Sequence, residues 1–185
     1  MMRAVDRLLR GWRMRMADPH VRAGDRLLDI GCHDGRFIES VLARVSCATG
    51  IDPLARPVEG ARMTIVRGVV PGDLRPDWSR FDCVTMLATL EHVDDPGAVA
   101  RNCFRLLEPG GRLVLTVPHT IAHHIIQALV RVGLADGMGL EPAYGFDART
   151  TEPLLARAGF RLVAKQPFEL GLNCLYVFEK PRDPP

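Results

Sequence analysis

The stretch that most constrains this chain runs from Arg26 to Phe37, Arg-Leu-Leu-Asp-Ile-Gly-Cys-His-Asp-Gly-Arg-Phe. A short apolar run, Leu27, Leu28 and Ile30, stops at Gly31, and a helical pattern begins at Asp34. This sequence predicts a buried parallel strand running into a tight turn and a helix. Such a turn leaves backbone N–H groups at the helix N-terminus unpaired and available to a ligand. Gly31 and Gly35 suit a backbone that bends sharply and passes close to another group. A dinucleotide-binding turn requires Gly-x-Gly-x-x-Gly. Counted from Gly31, that pattern needs glycines where His33 and Arg36 stand, so a dehydrogenase is disfavoured. The pattern is instead Asp29-x-Gly31-x-His33-x-Gly35, and an ordinary strand–helix turn of another α/β protein is the alternative at this point.

A chain of 185 residues suffices for one α/β domain with a real core and is too short for two comfortable ones, so residues 1–185 are read as one domain. The formal net charge of +2 gives no reason to expect nucleic acid as a partner. No apolar run approaches the ~20 residues of a membrane span. The first residues have neither the apolar core nor the cleavage site of a secretory signal. Cys32, Cys47, Cys83, Cys103 and Cys174 form no Cys-x-x-Cys pair and read as reduced thiols of a cytoplasmic protein.

Residues 1–20 hold a predicted helix. Val5, Leu8, Leu9, Trp12 and Met16 fall on one stripe, with Arg3, Arg7, Arg10, Arg13 and Arg15 mostly off it. The basic face is either solvated over a packing or lid helix, or a contact for an anionic substrate or for a membrane surface touched peripherally. Strands are predicted at Cys47–Asp52, Met63–Arg67, Phe81–Leu87 and Arg112–Val117. Helices are predicted from Asp34 to about Arg44, from Pro96, over 119–133 and over Thr150–Ala158. Phe160–Phe168 and Asn173–Lys180 read as a closing hairpin. Between Leu54 and Ser79, three prolines and three glycines limit helix to a turn or two. Asp52 ends the second strand 17 residues after Gly35, where nucleotide-binding units place an acid, although a strand-end Asp also serves as a helix N-cap.

These motifs resemble a known family. Asp29-x-Gly31-x-His33-x-Gly35 is similar to the first motif of class I S-adenosylmethionine-dependent methyltransferases. Leu90-Glu91-His92-Val93 followed by Asp95-Pro96 looks like the segment after the fourth strand in the methyltransferase type 11, 12 and 23 and ubiquinone-type O-methyltransferase families. Leu107-Glu-Pro-Gly-Gly-Arg-Leu-Val-Leu-Thr-Val-Pro118 is also typical of them. The resemblance covers about residues 20–180. It implies a Rossmann-like, seven-stranded, mostly parallel sheet of order 3-2-1-4-5-7-6, its last strand antiparallel and helices on both faces. Residues 26–118 would form the cofactor-binding half, and 119–180 the acceptor-side helix, a lid loop (134–147) and the hairpin.

The resemblance also assigns roles. Asp29 and the backbone of Gly31, Cys32, His33 and Gly35 would hold the methionine end of S-adenosylmethionine. Asp52, followed by Pro53, would hold the ribose, since a carboxylate offers two acceptors to a vicinal diol. Leu87 and Ala88 would line the methionine pocket, with Asp73 or backbone near Val69 at the adenine. His33 stands where the family has its middle glycine, so its backbone must fit without glycine's freedom and its side chain should point away from the cofactor path.

His92 is the candidate general base, because it follows the fourth strand and histidine titrates near neutrality. The alternative is that Glu91 and His92 only cap or orient the turn. Some ubiquinone-type relatives bind a divalent metal here through Glu-x-x-Glu-His. Ala88 replaces the first carboxylate, and no metal is predicted. His119, His123 and Tyr144 are candidate acceptor contacts, with His124 and Phe146 nearby. The function implied is methyl transfer to a small-molecule acceptor, at a hydroxyl group of quinone-precursor, lipid-linked or sugar type. The alternatives are a non-catalytic S-adenosylmethionine-binding partner or regulatory protein and a protein or nucleic-acid methyltransferase. The last is disfavoured by the missing Asn/Asp-Pro-Pro-Tyr run, in whose place Thr85-Met-Leu-Ala88 stands.

Overall fold

The computed structural model describes residues 4–75, 78, 80–119, 130 and 147–182. Most of the helix expected over 119–133 and of the lid loop lies outside them, as do His123, His124, Tyr144 and Phe146. Eight strands are described: β1 (Arg26–Ile30), β2 (Cys47–Asp52), β3 (Val58–Glu59), β4 (Met63–Arg67), β5 (Phe81–Leu87), β6 (Leu107–Pro118), β7 (Arg161–Phe168) and β8 (Asn173–Glu179). They form one sheet of order β3-β4-β2-β1-β5-β6-β8-β7. Without β3, this is the expected order of seven. The strand count is corrected to eight, because Val58 and Glu59 pair antiparallel with Ile65 and Thr64. Gly60 closes that turn, its N–H donating to Met63 O at 2.9 Å. β8 runs antiparallel to both β6 and β7.

Period-two alternation gives the sheet two apolar faces. Leu28, Val84, Met86, Leu113 and Leu115 face α3 (Pro96–Leu106) and α4 (Thr151–Arg157). Leu27, Ala48, Cys83, Val114 and Val177 lie in the opposite core with α2 (Arg36–Val41) and the end of α1 (Ala4–Ala17). Burial of these side chains is worth about 1.5–3 kcal/mol each and dominates the stability of both layers. The start of α3 is fixed by Asp95, whose carboxylate accepts Ala98 N–H at 2.8 Å, and by Pro96 in the first turn.

Two helices differ from expectation. α2 begins at Arg36 rather than Asp34, because Gly35 takes a left-handed conformation at φ 77. It ends at Val41, before Arg44. α1 does not bury its whole apolar stripe: Leu8 is 67% exposed and Trp12 39%. Its inner side carries Arg10 and Arg13 instead, because carboxylates lie beneath it. Arg10 pairs with Asp34 at 3.1 Å and Arg13 Nε lies 4.0 Å from Glu169. Trp12 rests on Phe168, ring centroids 6.2 Å apart.

Candidate active site at the strand ends

The order of strands reverses beside β1, and the C-terminal ends of β1, β2 and β5 meet there. In open α/β sheets, ligands bind at such a switch point. Asp29 and Thr85 lie opposite each other on β1 and β5, and Thr85 Oγ1 donates to Asp29 Oδ1 at 2.6 Å. Asp29 is fully enclosed. Burial pushes its carboxyl up to about 7, against the Thr85 hydrogen bond, and the nearby Asp52 charge adds to the rise. No cation among the described residues pairs with it.

β1 then enters the turn Gly31–Gly35. Gly31 sits at φ 79, and a Cβ there would lie 2.2 Å from Thr89 Oγ1. The turn after β5 is thereby pressed against the turn after β1. Several of the N–H groups here are paired, where the sequence predicts them unpaired. Gly31 and Cys32 donate to Ile51 O at 2.8 and 3.4 Å, and Gly35 to Cys32 O at 2.8 Å. His33 N–H donates to Asp52 Oδ2 at 3.0 Å, and Arg36 N–H to Asp34 Oδ1 at 3.4 Å. The turn is folded back onto the end of β2, which supplies the Ile51 and Asp52 acceptors, while Cys32 O and Asp34 Oδ1 come from the turn itself. His33 takes the left-handed region at φ 49, so the position keeps the conformation for which glycine is suited, at a cost in strain. Its ring lies beside Asp34, Nδ1 3.7 Å from Oδ1. The Cys32 side chain is buried against Gly50, where a Cβ would meet Sγ at 2.7 Å, so only its backbone remains near the turn.

Asp52 bridges both sides of this end. Oδ2 accepts His33 N–H, and Oδ1 accepts Leu54 N–H at 2.7 Å. Pro53 lies between these contacts in sequence. Each carboxylate oxygen keeps a further lone-pair site. Asp73 closes its own loop, accepting Val69 N–H at 2.8 Å. At the end of β5, Leu87 leads into Ala88, a second non-glycine residue at positive φ (54). Ala88 N–H is held by Thr116 O and Thr116 Oγ1, both at 3.0 Å.

A one-turn 3-10 helix, Leu90–His92, follows. It buries Glu91, 4% exposed, whose carboxyl burial pushes up to about 7 against the attraction of Arg13. His92 Nε2 lies 3.9 Å from Glu91 Oε1. His119 N–H donates to Leu172 O at 2.8 Å, joining the exit of β6 to the β7–β8 turn. Sequence reasoning missed Thr85, Thr116, Glu169, Asn173 and the inward role of Arg13. A buried threonine between Val84 and Met86 was the one available signal among them. Among the described residues, no group of three or more His, Cys, Asp or Glu is arranged to hold a metal ion. No described helix is long and apolar enough to cross a membrane.

Comparison with known proteins gives a consistent family. The methyltransferase-domain profile matches residues 1–165. The chain is 39% identical over 103 residues to a ubiquinone biosynthesis O-methyltransferase of Pseudomonas aeruginosa (strain LESB58), covering 51% of this chain and 44% of that protein. The chain thus spans about half the length of the curated relatives it matches. Its fold is similar to that of an S-adenosylmethionine-dependent methyltransferase from Mesorhizobium loti, with a TM-score of 0.71 at 18% identity, covering 92% and 99% of the two chains. It is also similar to the N-methyltransferase NodS from Bradyrhizobium japonicum in complex with S-adenosyl-L-homocysteine, with a TM-score of 0.63 at 18% identity over 97% and 89%. The chain belongs to the methyltransferase-domain family and has the fold of S-adenosylmethionine-dependent methyltransferases.

Proposed function

We propose that this chain transfers a methyl group from S-adenosylmethionine to a hydroxyl of a small-molecule acceptor. The observation that carries the reading is the pair of carboxyl groups at the switch point. Asp52 stands at the end of β2 with lone pairs left over, and Asp29 is enclosed without a cation among the described residues. These residues fit the donor. Asp52 would take the ribose diol, and Asp29 favours a positively charged group such as the amino group of the methionine end. Gly31, Gly35, Cys32 and His33 would offer close backbone approach, with Pro53 flanking the ribose and Leu87 and Ala88 the methionine chain.

When bound, S-adenosylmethionine supplies an electrophilic methyl group on a sulfonium. The chain's own contribution is alignment of the acceptor, exclusion of water and placement of the acceptor's proton. The Glu91–His92 turn is the candidate for that last role, and His119 lies at the same rim. Hydroxyl chemistry is supported by the 39% identity to an O-methyltransferase, over 44% of that protein. The test is formation of S-adenosylhomocysteine by the purified chain over a panel of phenolic, sugar and lipid-linked hydroxyl acceptors. Turnover with one class assigns the acceptor. Binding of S-adenosylmethionine with no turnover on any acceptor would favour a non-catalytic binding protein instead.

A further inference from the structure

Among the described residues, the buried polar atoms without a hydrogen-bond partner include Arg13 Nε, Glu91 Oε2 and Glu169 Oε1, all at the C-terminal rim of the sheet. They come from α1, from the turn after β5 and from the turn between β7 and β8. The Arg13 charge acts on both carboxyls, and its Nε lies 4.0 Å from Glu169 Oε1. Asn173 Nδ2 donates to the other Glu169 oxygen at 3.3 Å. Native proteins leave few buried polar groups unsatisfied, because each costs desolvation with no return.

The segment carrying Glu169 is itself strained. Glu169 and Leu170 sit at φ 51 and 56. The turn puts Glu169 inside at 7% exposure and Leu170 outside at 97%. Packing alone would select the reverse. Strain of this kind is retained where ligands bind.

We propose that Glu91 is the proton acceptor of the reaction, taking the proton of a hydroxyl acceptor that approaches Arg13, Glu91 and Glu169. This rests on the methyltransferase reading above. The cluster offers two unused carboxylate acceptors and one unused N–H donor, the complement of a group with two adjacent hydroxyls. The β5 turn that carries Glu91 also carries Thr89, which packs against Gly31, so the cluster adjoins the turn after β1. His92 Nε2 stands 3.9 Å from Glu91 Oε1 on the same turn, close enough for its charge state to act on the carboxyl. Among the described residues, the charged and titratable groups facing Glu91 are Arg13 from α1, His92 from its own turn and, through Arg13, Glu169 from the β7–β8 turn.

The step balances. The acceptor oxygen forms a bond to the methyl carbon as the carbon–sulfur bond breaks and its electron pair returns to sulfur. The acceptor's O–H proton goes to the Glu91 carboxylate. A cationic sulfonium and an anionic carboxylate become a neutral thioether and a neutral acid, which an enclosed site favours.

The experiment uses the whole chain, catechol and 4-nitrocatechol as probe acceptors, and calorimetry of S-adenosylmethionine binding. Wild type should methylate both probes, and the catechol rate should rise with pH through about 7 and then level, because only ionised Glu91 accepts. Glu91→Gln should bind S-adenosylmethionine within about twofold of wild type but lose about 100-fold or more on catechol. It should lose much less on 4-nitrocatechol, whose more acidic hydroxyl is already ionised. As a readout independent of turnover, Glu91→Gln should flatten part of the fall in melting temperature between about pH 5 and 8, since the buried carboxyl no longer ionises. Equal losses on both probes, no loss, or a wild type that binds S-adenosylmethionine yet methylates neither probe would overturn the proposal. Failure of wild type to bind S-adenosylmethionine would instead overturn the reading it rests on.

Discussion

Each end of the sheet sets an arginine beside buried carboxyl groups, and the two clusters are finished differently. At the N-terminal ends of the strands, Arg112 pairs with Asp25 and donates through Nε to His20 O at 3.1 Å. Asp25 also accepts Arg22 N–H at 2.7 Å. That cluster has a partner for each of these groups and ties the start of β1 to β6. At the C-terminal ends, Arg13, Glu91 and Glu169 each keep an orphaned atom. Both combine an arginine with buried carboxyl groups, although the Arg13 side chain is 24% exposed and that of Arg112 8%. One set is saturated by the chain and serves the fold. The other is left open, which costs stability and is what the proposed acceptor site requires.

The largest expected effect tests the saturated end. Arg112→Met should cost about 3–5 kcal/mol in denaturant unfolding, because it strands the buried Asp25 charge. A loss near zero would mean the closed cluster is not structural, and the contrast would fail.

Next comes the cofactor side. The Asp29 carboxyl titrates near 7 in the folded chain and near 3.8 as a free group. Between those values the folded state binds more protons, so this contribution is full at acid pH and is lost as pH rises through about 7. Asp29→Asn keeps an acceptor for Thr85 and removes the buried charge. It should raise unfolding free energy at about pH 8 by on the order of 2 kcal/mol and change little near pH 4. The same substitution should abolish a rise in S-adenosylmethionine affinity between about pH 6 and 8. A mutant less stable at pH 8 than wild type would show that the chain itself supplies the missing partner.

Arg13→Met sharpens the comparison directly. Its Nε makes no hydrogen bond and its ion pair with Glu169 is long, at 4.0 Å, so its loss should cost under about 1 kcal/mol, well below Arg112→Met. Its effect should appear instead as a shift of the pH–rate profile to higher pH, since Glu91 and Glu169 lose their cation. The smallest effect is at the surface: Arg10→Met, which breaks the partly exposed pair with Asp34, should move stability by less than about 0.5 kcal/mol.

Much of the cofactor side was legible because its signals are local. β2, β4 and β5 begin and end on the residues expected, since short apolar runs there are bounded by charged residues, glycine or a turn. The glycines at 31 and 35 mark a turn whose backbone takes positive φ. The sequence could not show that Ile51 and Asp52 would occupy the turn's N–H groups, because those partners come from the next strand. Thr85 meets Asp29 only through the register of β1 and β5. The two-residue β3 has no pattern of its own and exists through pairing with β4. The acceptor-side cluster was least legible. Residues 13, 91, 169 and 173 share no spacing, and α1 turns Arg13 inward against its own apolar stripe because of carboxylates more than 70 residues away in sequence.

The most direct test of the central reading is calorimetric titration of S-adenosylmethionine into the wild-type chain, Asp52→Ala and Glu91→Gln. The account predicts saturable binding by wild type, a loss of about tenfold or more in Asp52→Ala from two removed hydrogen bonds to the ribose, and little change in Glu91→Gln. No binding by wild type, or undiminished binding by Asp52→Ala, would contradict it.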